Sequence, residues 1–180
     1  NGLTIEFQGG EPLLNWKIVK FIIEYASEKA KEKNKIVRFA LVSNLSLMDE
    51  QKLAYLMDHE VWLSTSLDGS EEIHNFNRTF LDGNSYEKAS YWIKKINETY
   101  AKKGRKERIW ALLTVTKKTL SRPKEVVDVY RSLGLNWIFL RVLNPYGFAA
   151  RDLENIGYTH EEFFEFFKQA LSYILELNKS

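Results

Sequence analysis

The residues that could carry out chemistry in this sequence lie in short polar segments, each placed directly after an apolar run. The first is Gln8-Gly9-Gly10-Glu11-Pro12, in which two glycines let a ligand approach the main chain closely. Glu11 adds a carboxylate, and Pro12 removes a backbone N–H and stiffens the chain that follows. A ligand ammonium would find backbone carbonyls and one negative charge here. A glycine turn with a solvated acid is the alternative interpretation, and the segment alone does not decide between them.

A second polar segment, Ser66-Leu67-Asp68-Gly69, is followed by His74 and Arg78. Because side chains alternate along a strand, Ser66 and Asp68 are expected on the same side. Arginine is the natural partner of a carboxylate, since its planar fork bonds both oxygens. A surface arginine and a packing or capping histidine remain the alternatives for Arg78 and His74.

A third segment, Ser43-Asn44, adds small polar side chains that are common turn formers and mean little alone. The three segments together offer an ammonium site, a carboxylate site and further polar groups, all after apolar runs. This combination suits a zwitterionic amino-acid ligand joined to a sugar.

The elements that must position these segments are strands alternating with helices. Five apolar, β-branched runs predict strands, at residues 3–8, 36–43, 61–67, 109–116 and 137–143. Helical spacing after each run predicts parallel strands in sequential order, with right-handed crossovers and outer helices. The fold class is therefore α/β, as an open curved sheet or part of a β/α barrel. A long loop at 68–84 follows the third strand, at the end where such folds place function.

Two of the predicted helices carry specific signals. A capping box from Thr159 to Glu162 marks the start of the last helix. The first helix, 14–33, has a set of apolar residues on one face, namely Ile18, Ile22, Tyr25 and Ala26.

Composition and charge exclude several classes of function. With 26 basic and 24 acidic residues the net charge is +2, which gives no reason to expect nucleic acid or an anionic membrane as partner. Cysteine is absent from the 180 residues, so the chain has no thiolate nucleophile and no zinc–thiolate site. The sequence begins at Asn1 and enters a strand pattern at once. We therefore expect residues 1–180 to be one domain of five β/α units, cut from a longer protein.

The polar segments resemble motifs of the radical S-adenosylmethionine (radical SAM) enzymes, in matching order and spacing. Residues 8–13 resemble their GGEP motif, and residues 43–45 resemble Thr-Asn-Gly at the next strand. Residues 66–69 and 74–78 resemble the S-L-D-G and H-D-x-x-R stretch of anaerobic sulfatase-maturating enzymes, and 83–88 resemble Gly-x-Ser-Phe-Glu-Lys. Residues 143–149 look like the corresponding part of the His-Xaa-Ser system maturases, although a simple Pro/Gly turn is the alternative there.

The chain also departs from the family pattern. Leu45 stands where the family has glycine, and Asn75 stands where it has aspartate. The CxxxCxxC motif, which holds the family's 4Fe–4S cluster and precedes GGEP, is missing.

The resemblance implies a role for each cofactor-binding candidate. Gly9, Gly10 and Glu11 would bind the ammonium of SAM, and Ser66 and Arg78 its carboxylate. Gln8 would reach the ribose, and the stretch 114–116 would lie near the adenine. The full set of implied cofactor-binding residues is Gln8, Gly9, Gly10, Glu11, Pro12, Asn44, Ser66, Asp68, Arg78 and Thr116.

The resemblance further implies a partial TIM-like (β/α)6 radical SAM barrel without its first β/α unit. The longer protein would use SAM and a 4Fe–4S cluster to generate a 5′-deoxyadenosyl radical, and this chain alone would be inactive. Implied partners are a peptide or protein substrate and an electron donor such as flavodoxin or ferredoxin, in the cytoplasm.

Two other functions stay open from the residues alone. One is a cofactor-independent barrel enzyme, a lyase or aldolase, that uses Glu11, Asp68 and Arg78 directly. The other is a non-catalytic β/α scaffold for protein interactions.

Overall fold

One parallel sheet of five strands in sequential order forms the centre of the molecule, as the sequence predicts. The computed structural model describes residues 2–80 and 83–179. Its strands are β1 (Gly2–Phe7), β2 (Ile36–Val42), β3 (Trp62–Ser66), β4 (Trp110–Thr114) and β5 (Phe139–Arg141). Every neighbouring pair is parallel, from Gly2 opposite Ile36 at one edge to Thr114 opposite Arg141 at the other.

Helices follow each strand, with additional short helices in two connections. A 3-10 turn, Pro12–Asn15, leads into α1 (Trp16–Glu32). The remaining helices are α2 (Glu50–Asp58), α3 (Glu71–Asn77), α4 (Ser85–Lys102), α5 (Pro123–Ser132), α6 (Phe148–Arg151), α7 (Leu153–Ile156) and α8 (His160–Leu177). No helix in these described ranges is both long and apolar enough to cross a bilayer.

The strands β2, β3 and β4 end earlier than the sequence predicts, but single backbone bonds continue their ladders. The N–H of Ser43 donates to Ser64 O, that of Leu67 to Leu112 O and that of Val115 to Arg141 O, at 3.0–3.1 Å. Asn44, Asp68 and Thr116 are therefore the first residues beyond the sheet, one at each of three adjacent strand ends.

The two faces of the sheet differ in burial. On one face Phe39, Leu41, Leu63 and Leu113 join the hydrophobic core with side chains from the flanking helices. On the other face alternation places large aromatic side chains that stay more than half exposed, which are Trp62, Trp110 and Phe139. The helices thus cover one face and leave the other open.

The predicted long loop at 68–84 is wrong in part, because the structure places helix α3 inside it. Only Ile73 and His74 of this helix are buried, so its sequence shows no helical periodicity of apolar residues. Gly69 permits the approach: its φ is +116°, and a Cβ there would lie 3.1 Å from Val126 Cγ2.

The predicted inner face of α1 is also partly wrong. Val19 and Ile23 are buried, whereas Ile18 and Tyr25 are about half exposed because they belong to a second apolar stripe that no described element covers. The capping box is confirmed, since Thr159 Oγ1 accepts from Glu162 N and Glu162 Oε2 accepts from Thr159 N.

Candidate functional site

The loop after β1 presents its backbone openly to solvent. Gln8, Gly9 and Gly10 are exposed. Gly9 has φ +144°, and a Cβ at either glycine would meet no atom within 4 Å. A small ligand could therefore reach the main chain of this loop. Pro12 opens the 3-10 turn that directs the chain away from the site.

Glu11 ties the loop after β1 to the loop after β2. Its Oε1 accepts from Leu13 N at 3.0 Å and from Ser43 Oγ at 2.8 Å. Its Oε2 accepts from Asn44 N at 2.8 Å. Both oxygens are thus used inside the protein, and the negative charge stays at the edge of the sheet.

The turn after β2 contains Leu45, which has left-handed backbone angles. The radical SAM enzymes that the sequence resembles have glycine at this position. Leu45 adopts φ +60° although its side chain is fully buried. Its N–H donates to Ser43 Oγ at 2.9 Å, and Asn44 Oδ1 accepts from Ser46 N at 2.9 Å. The turn therefore keeps the left-handed backbone conformation that a glycine would adopt. Burial of the Leu45 side chain offsets the resulting strain of about 1–2 kcal/mol.

Asp68 is the centre of the polar network between β3 and β4. It is 1% exposed, and its Oδ2 and Oδ1 accept from Arg78 Nε at 2.7 Å and Arg78 Nη2 at 3.2 Å. Oδ1 also accepts from Thr114 N at 3.0 Å, and Asn77 Nδ2 lies 3.4 Å from Oδ2. The carboxylate thus holds one edge of the Arg78 guanidinium against the end of β4.

His74 lies beneath the same network. Its Nδ1 accepts from Asp68 N at 3.2 Å, and its ring meets the edge of Tyr86 at 6.0 Å between centroids. Burial lowers the pKa of His74 to about 4, with Asp68 opposing that shift and Arg78 adding to it. The ring is therefore neutral near pH 7.

A cleft of about 490 Å³ opens where these groups meet. The residues that line it come from the ends of β2 and β3, from α3 and from the segment after α3, and are Asn44, Ser66, His74, Asn77, Arg78, Thr79 and Phe80. The structure thus brings the predicted residues Asn44, Ser66 and Arg78 together. Glu11 is one hydrogen bond away through Asn44, and Asp68 lies behind Arg78.

Other predicted residues stand at the margin of the cleft. Thr116 reaches it indirectly, since its Oγ1 donates to Asn77 Oδ1 at 3.2 Å. Gln8, Gly9 and Gly10 are not among its lining residues. Asn75, the departure from the family pattern, faces elsewhere and accepts from Ser85 Oγ and Tyr86 N at the start of α4.

Sequence reasoning missed Asn77, Thr79 and Phe80 and gave His74 no place in the cleft. The available signal was the spacing of His74, Asn77 and Arg78 at three and four residues, which a helix places on one face. That signal was hidden because 68–84 was predicted to be a loop.

Donors for a carboxylate are present in this cleft, whereas ligands for an iron–sulfur cluster are not. Arg78, Ser66 and Asn44 all carry N–H or O–H groups. The sequence has no cysteine, and residues 2–80 and 83–179 contain no group of three His, Cys, Asp or Glu side chains placed to hold a metal ion. The described residues therefore offer donors that fit a ligand carboxylate, such as that of SAM, and no set of ligands that fits an iron–sulfur cluster.

Comparison with known sequences finds related chains that are longer than this one. No protein-family model matches. An uncharacterized protein of Methanocaldococcus jannaschii is 26% identical over 149 residues, which is 81% of this chain and 48% of that protein. The cysteine-type anaerobic sulfatase-maturating enzyme of Clostridium perfringens is 34% identical over 76 residues, 42% of this chain and 20% of the enzyme. The chain thus spans at most about half the length of these relatives.

Comparison with solved structures establishes the fold. Native anSMEcpe, an anaerobic sulfatase-maturating enzyme with bound AdoMet (S-adenosylmethionine), superposes with a TM-score of 0.79 at 24% identity, over 99% of this chain and 48% of that one. The chain has the radical SAM fold. The same enzyme with AdoMet and the Kp18Cys peptide gives 0.77, again at 24% identity, over 96% of this chain and 47% of that one. A domain of pyruvate-formate lyase-activating enzyme from Bacteroides vulgatus gives 0.61 at 15% identity, over 96% and 95%.

The predicted fold class and the resemblance to radical SAM proteins are thereby confirmed. The likeness of residues 143–149 to the His-Xaa-Ser system maturases stays a prediction.

Proposed function

We propose that this chain is the SAM-binding part of a radical SAM enzyme that modifies a peptide or protein. The observation that carries the proposal is the cleft at the carboxyl edge of the sheet, where Asn44, Ser66 and Arg78 meet. It lies in a fold shared with an enzyme that was solved with AdoMet bound and with a peptide.

The polarity of this edge matches the amino-acid end of SAM. Ser66 and Arg78 would bind the carboxylate, with Asn44 beside them. The exposed carbonyls of Gly9 and Gly10 would bind the ammonium, and the Glu11 charge would favour it. Asp68 would act as a positioning residue, because its oxygens are already bonded to Arg78 and Thr114.

The other end of SAM would extend along the rim of the cleft. Gln8 would reach the ribose, and Thr116 would lie near the adenine through Asn77. In such enzymes SAM supplies the radical that abstracts hydrogen from the substrate.

The cluster ligands must come from outside this sequence, since no residue here replaces three thiolates. We assign the cluster to a preceding CxxxCxxC segment of the longer protein, and part of the substrate contacts to its remaining length. A flavodoxin or ferredoxin would be the electron donor, in the cytoplasm. The 180-residue chain alone should then be inactive.

Hydrogen bonding inside the protein disfavours a cofactor-independent lyase. Such an enzyme would need Glu11 or Asp68 as a general base, yet both carboxylates accept several bonds within the protein. A base must have an oxygen available to the proton that it abstracts. The carboxylates instead fix the geometry of the loops.

The proposal is tested by NMR titration of the ¹⁵N-labelled chain with SAM. Each charged hydrogen bond contributes about 1.5–3 kcal/mol, and immobilising the ligand costs about 4 kcal/mol or more. We therefore expect saturable shifts at Gly10, Asn44, Ser66 and Arg78, with a dissociation constant on the order of millimolar. Shifts that avoid these residues, or no shifts at all, would contradict the proposal.

A pair of arginine variants separates site binding from general charge effects. Arg78→Ala should remove the SAM-induced shifts at Asn44 and Ser66. Arg122→Ala should leave them intact, because Arg122 pairs with Glu72 on the surface.

A further inference from the structure

His74 is a cleft residue that the assignments above leave without a function. Its side chain is 2% exposed, and it lines the cleft together with Ser66 and Arg78. Because this ring lies at the wall of the cleft, one of its two nitrogens can face a bound ligand.

The hydrogen bond from Asp68 settles the tautomer. A neutral imidazole has one donor and one acceptor nitrogen. Because Nδ1 accepts the Asp68 N–H at 3.2 Å, the proton must lie on Nε2. The opposite tautomer would set two N–H groups against each other.

The Nε2–H group has no acceptor within the protein, as far as the described residues extend. The hydrogen bond of the ring to the described protein runs through Nδ1, and the contact with Tyr86 is a T-shaped contact between the rings. Nε2 is not a fully buried atom, and His74 lines the cleft, so an acceptor on a bound ligand can reach this N–H.

The neighbouring arginine explains why a neutral donor matters here. Asp68 occupies the Nε–Nη2 edge of Arg78, so a ligand meets only the end that carries Nη1. Asp68 also neutralises much of the guanidinium charge toward the cleft. A ligand carboxylate has about four lone-pair positions, more than that end of Arg78 can fill.

We propose that His74 donates its Nε2–H to the carboxylate of SAM and completes, with Ser66 and Arg78, the site for that group. The inference rests on the proposed function, since it assumes that SAM occupies the cleft. It adds a binding residue that the family motifs do not assign.

The test uses a substitution that separates packing from binding. In His74→Asn the side-chain oxygen can still accept the Asp68 N–H, but no group remains at the Nε2 position. The ligands are SAM and decarboxylated SAM, which keeps the ammonium, ribose and adenine. We expect His74→Asn to weaken SAM binding about tenfold, as for one bond to a charged group, and to leave decarboxylated SAM unaffected. An equal loss for both ligands, or none, would overturn the inference.

A second measurement on the unaltered chain covers the case in which His74→Asn does not fold. Long-range ¹H–¹⁵N spectra of the imidazole rings should show His74 protonated on Nε2. That resonance should move with SAM and stay in place with decarboxylated SAM. A proton on Nδ1, or equal shifts with both ligands, contradicts the inference. If SAM binds and the His74 resonance does not respond, only the inference about His74 is overturned. If SAM does not bind, the proposed function is overturned as well.

Discussion

Glu11 and Asp68 are two carboxylates built into the sheet edge in the same way. Each follows a strand and accepts a backbone N–H from the end of the neighbouring strand, Asn44 N at 2.8 Å and Thr114 N at 3.0 Å. Their remaining partners differ. Asp68 is 1% exposed and bonds the Arg78 guanidinium, whereas Glu11 is partly exposed and bonds a hydroxyl and amides.

The difference gives the two ends of the site opposite character. Asp68 and Arg78 form a nearly neutral pair that still presents donors to the cleft. Glu11 has no ion pair with any described residue, so its negative charge remains at the loop after β1. Each carboxylate thus links two neighbouring strand ends. The link at Asp68 stabilises a donor site and the link at Glu11 an acceptor site, as the proposed zwitterionic ligand requires.

The largest effect is expected for Asp68→Ala. This change leaves the Arg78 guanidinium and the Thr114 N–H without their acceptor inside a nearly buried network. Removing one partner of a buried ion pair costs about 3–5 kcal/mol, and we expect about 3 kcal/mol because Arg78 is 30% exposed. Urea denaturation measures the loss in the free energy of unfolding.

The matched control for that variant is Asp58→Ala. Asp58 pairs with Lys103 at 2.8 Å but is 65% exposed, so its removal should leave the urea midpoint nearly unchanged. If the two variants lose similar stability, Asp68 is not the buried centre that the comparison requires.

A pH-dependent effect should appear on the Asp68 side alone. The folded pKa of His74 is lowered from 6.5 to about 4 by burial, and the charged groups that face it are Asp68 and Arg78. Between these values the unfolded chain binds a proton that the folded chain does not, so stability falls as pH falls. We expect a loss of about 2 kcal/mol between about pH 7 and about pH 5.

Urea denaturation at the two pH values measures this loss, and His74→Asn is the control. Glu11 and the other groups remain in that variant, so its free energy of unfolding should depend less on pH. An identical dependence in both proteins would show that His74 titrates normally.

The smallest stability effect is expected for Glu11→Ala. It removes three bonds to a carboxylate that water can partly replace, so the loss should be about 1–2 kcal/mol. Urea denaturation of Glu11→Ala and Asp68→Ala side by side gives the comparison directly. If Glu11→Ala loses as much free energy of unfolding as Asp68→Ala, or more, the distinction between partly exposed hydrogen bonds at Glu11 and a buried ion pair at Asp68 is wrong.

Much of the fold could be predicted from the sequence because β/α units have strong local signals. β-branched runs marked all five strands, and sequential parallel order follows from short crossovers. Strand ends were overestimated because apolar residues such as Val115 and Leu143 continue past the last ladder pair. Helix α3 was missed because only Ile73 and His74 face inward.

The candidate site was predicted in its residue types but not in its internal pairing. Sequence motifs named Asp68 and Arg78 separately, and both were assigned to the ligand. Their mutual bond depends on the turn that α3 makes after Gly69, which no local pattern reveals. The left-handed Leu45 is the opposite case, since the family's glycine at that position indicates the backbone conformation that the structure shows.

The central claim is that Arg78, held by Asp68, binds the carboxylate of SAM while the Glu11 end binds the ammonium. It is tested most directly by dissociation constants for SAM and decarboxylated SAM in the unaltered chain, Arg78→Ala and Glu11→Ala. We expect the unaltered chain to prefer SAM by more than about tenfold, Arg78→Ala to reduce that preference about tenfold while His74 and Ser66 retain the rest, and Glu11→Ala to weaken both ligands while keeping it. A preference for SAM that is as large in Arg78→Ala as in the unaltered chain would contradict the claim.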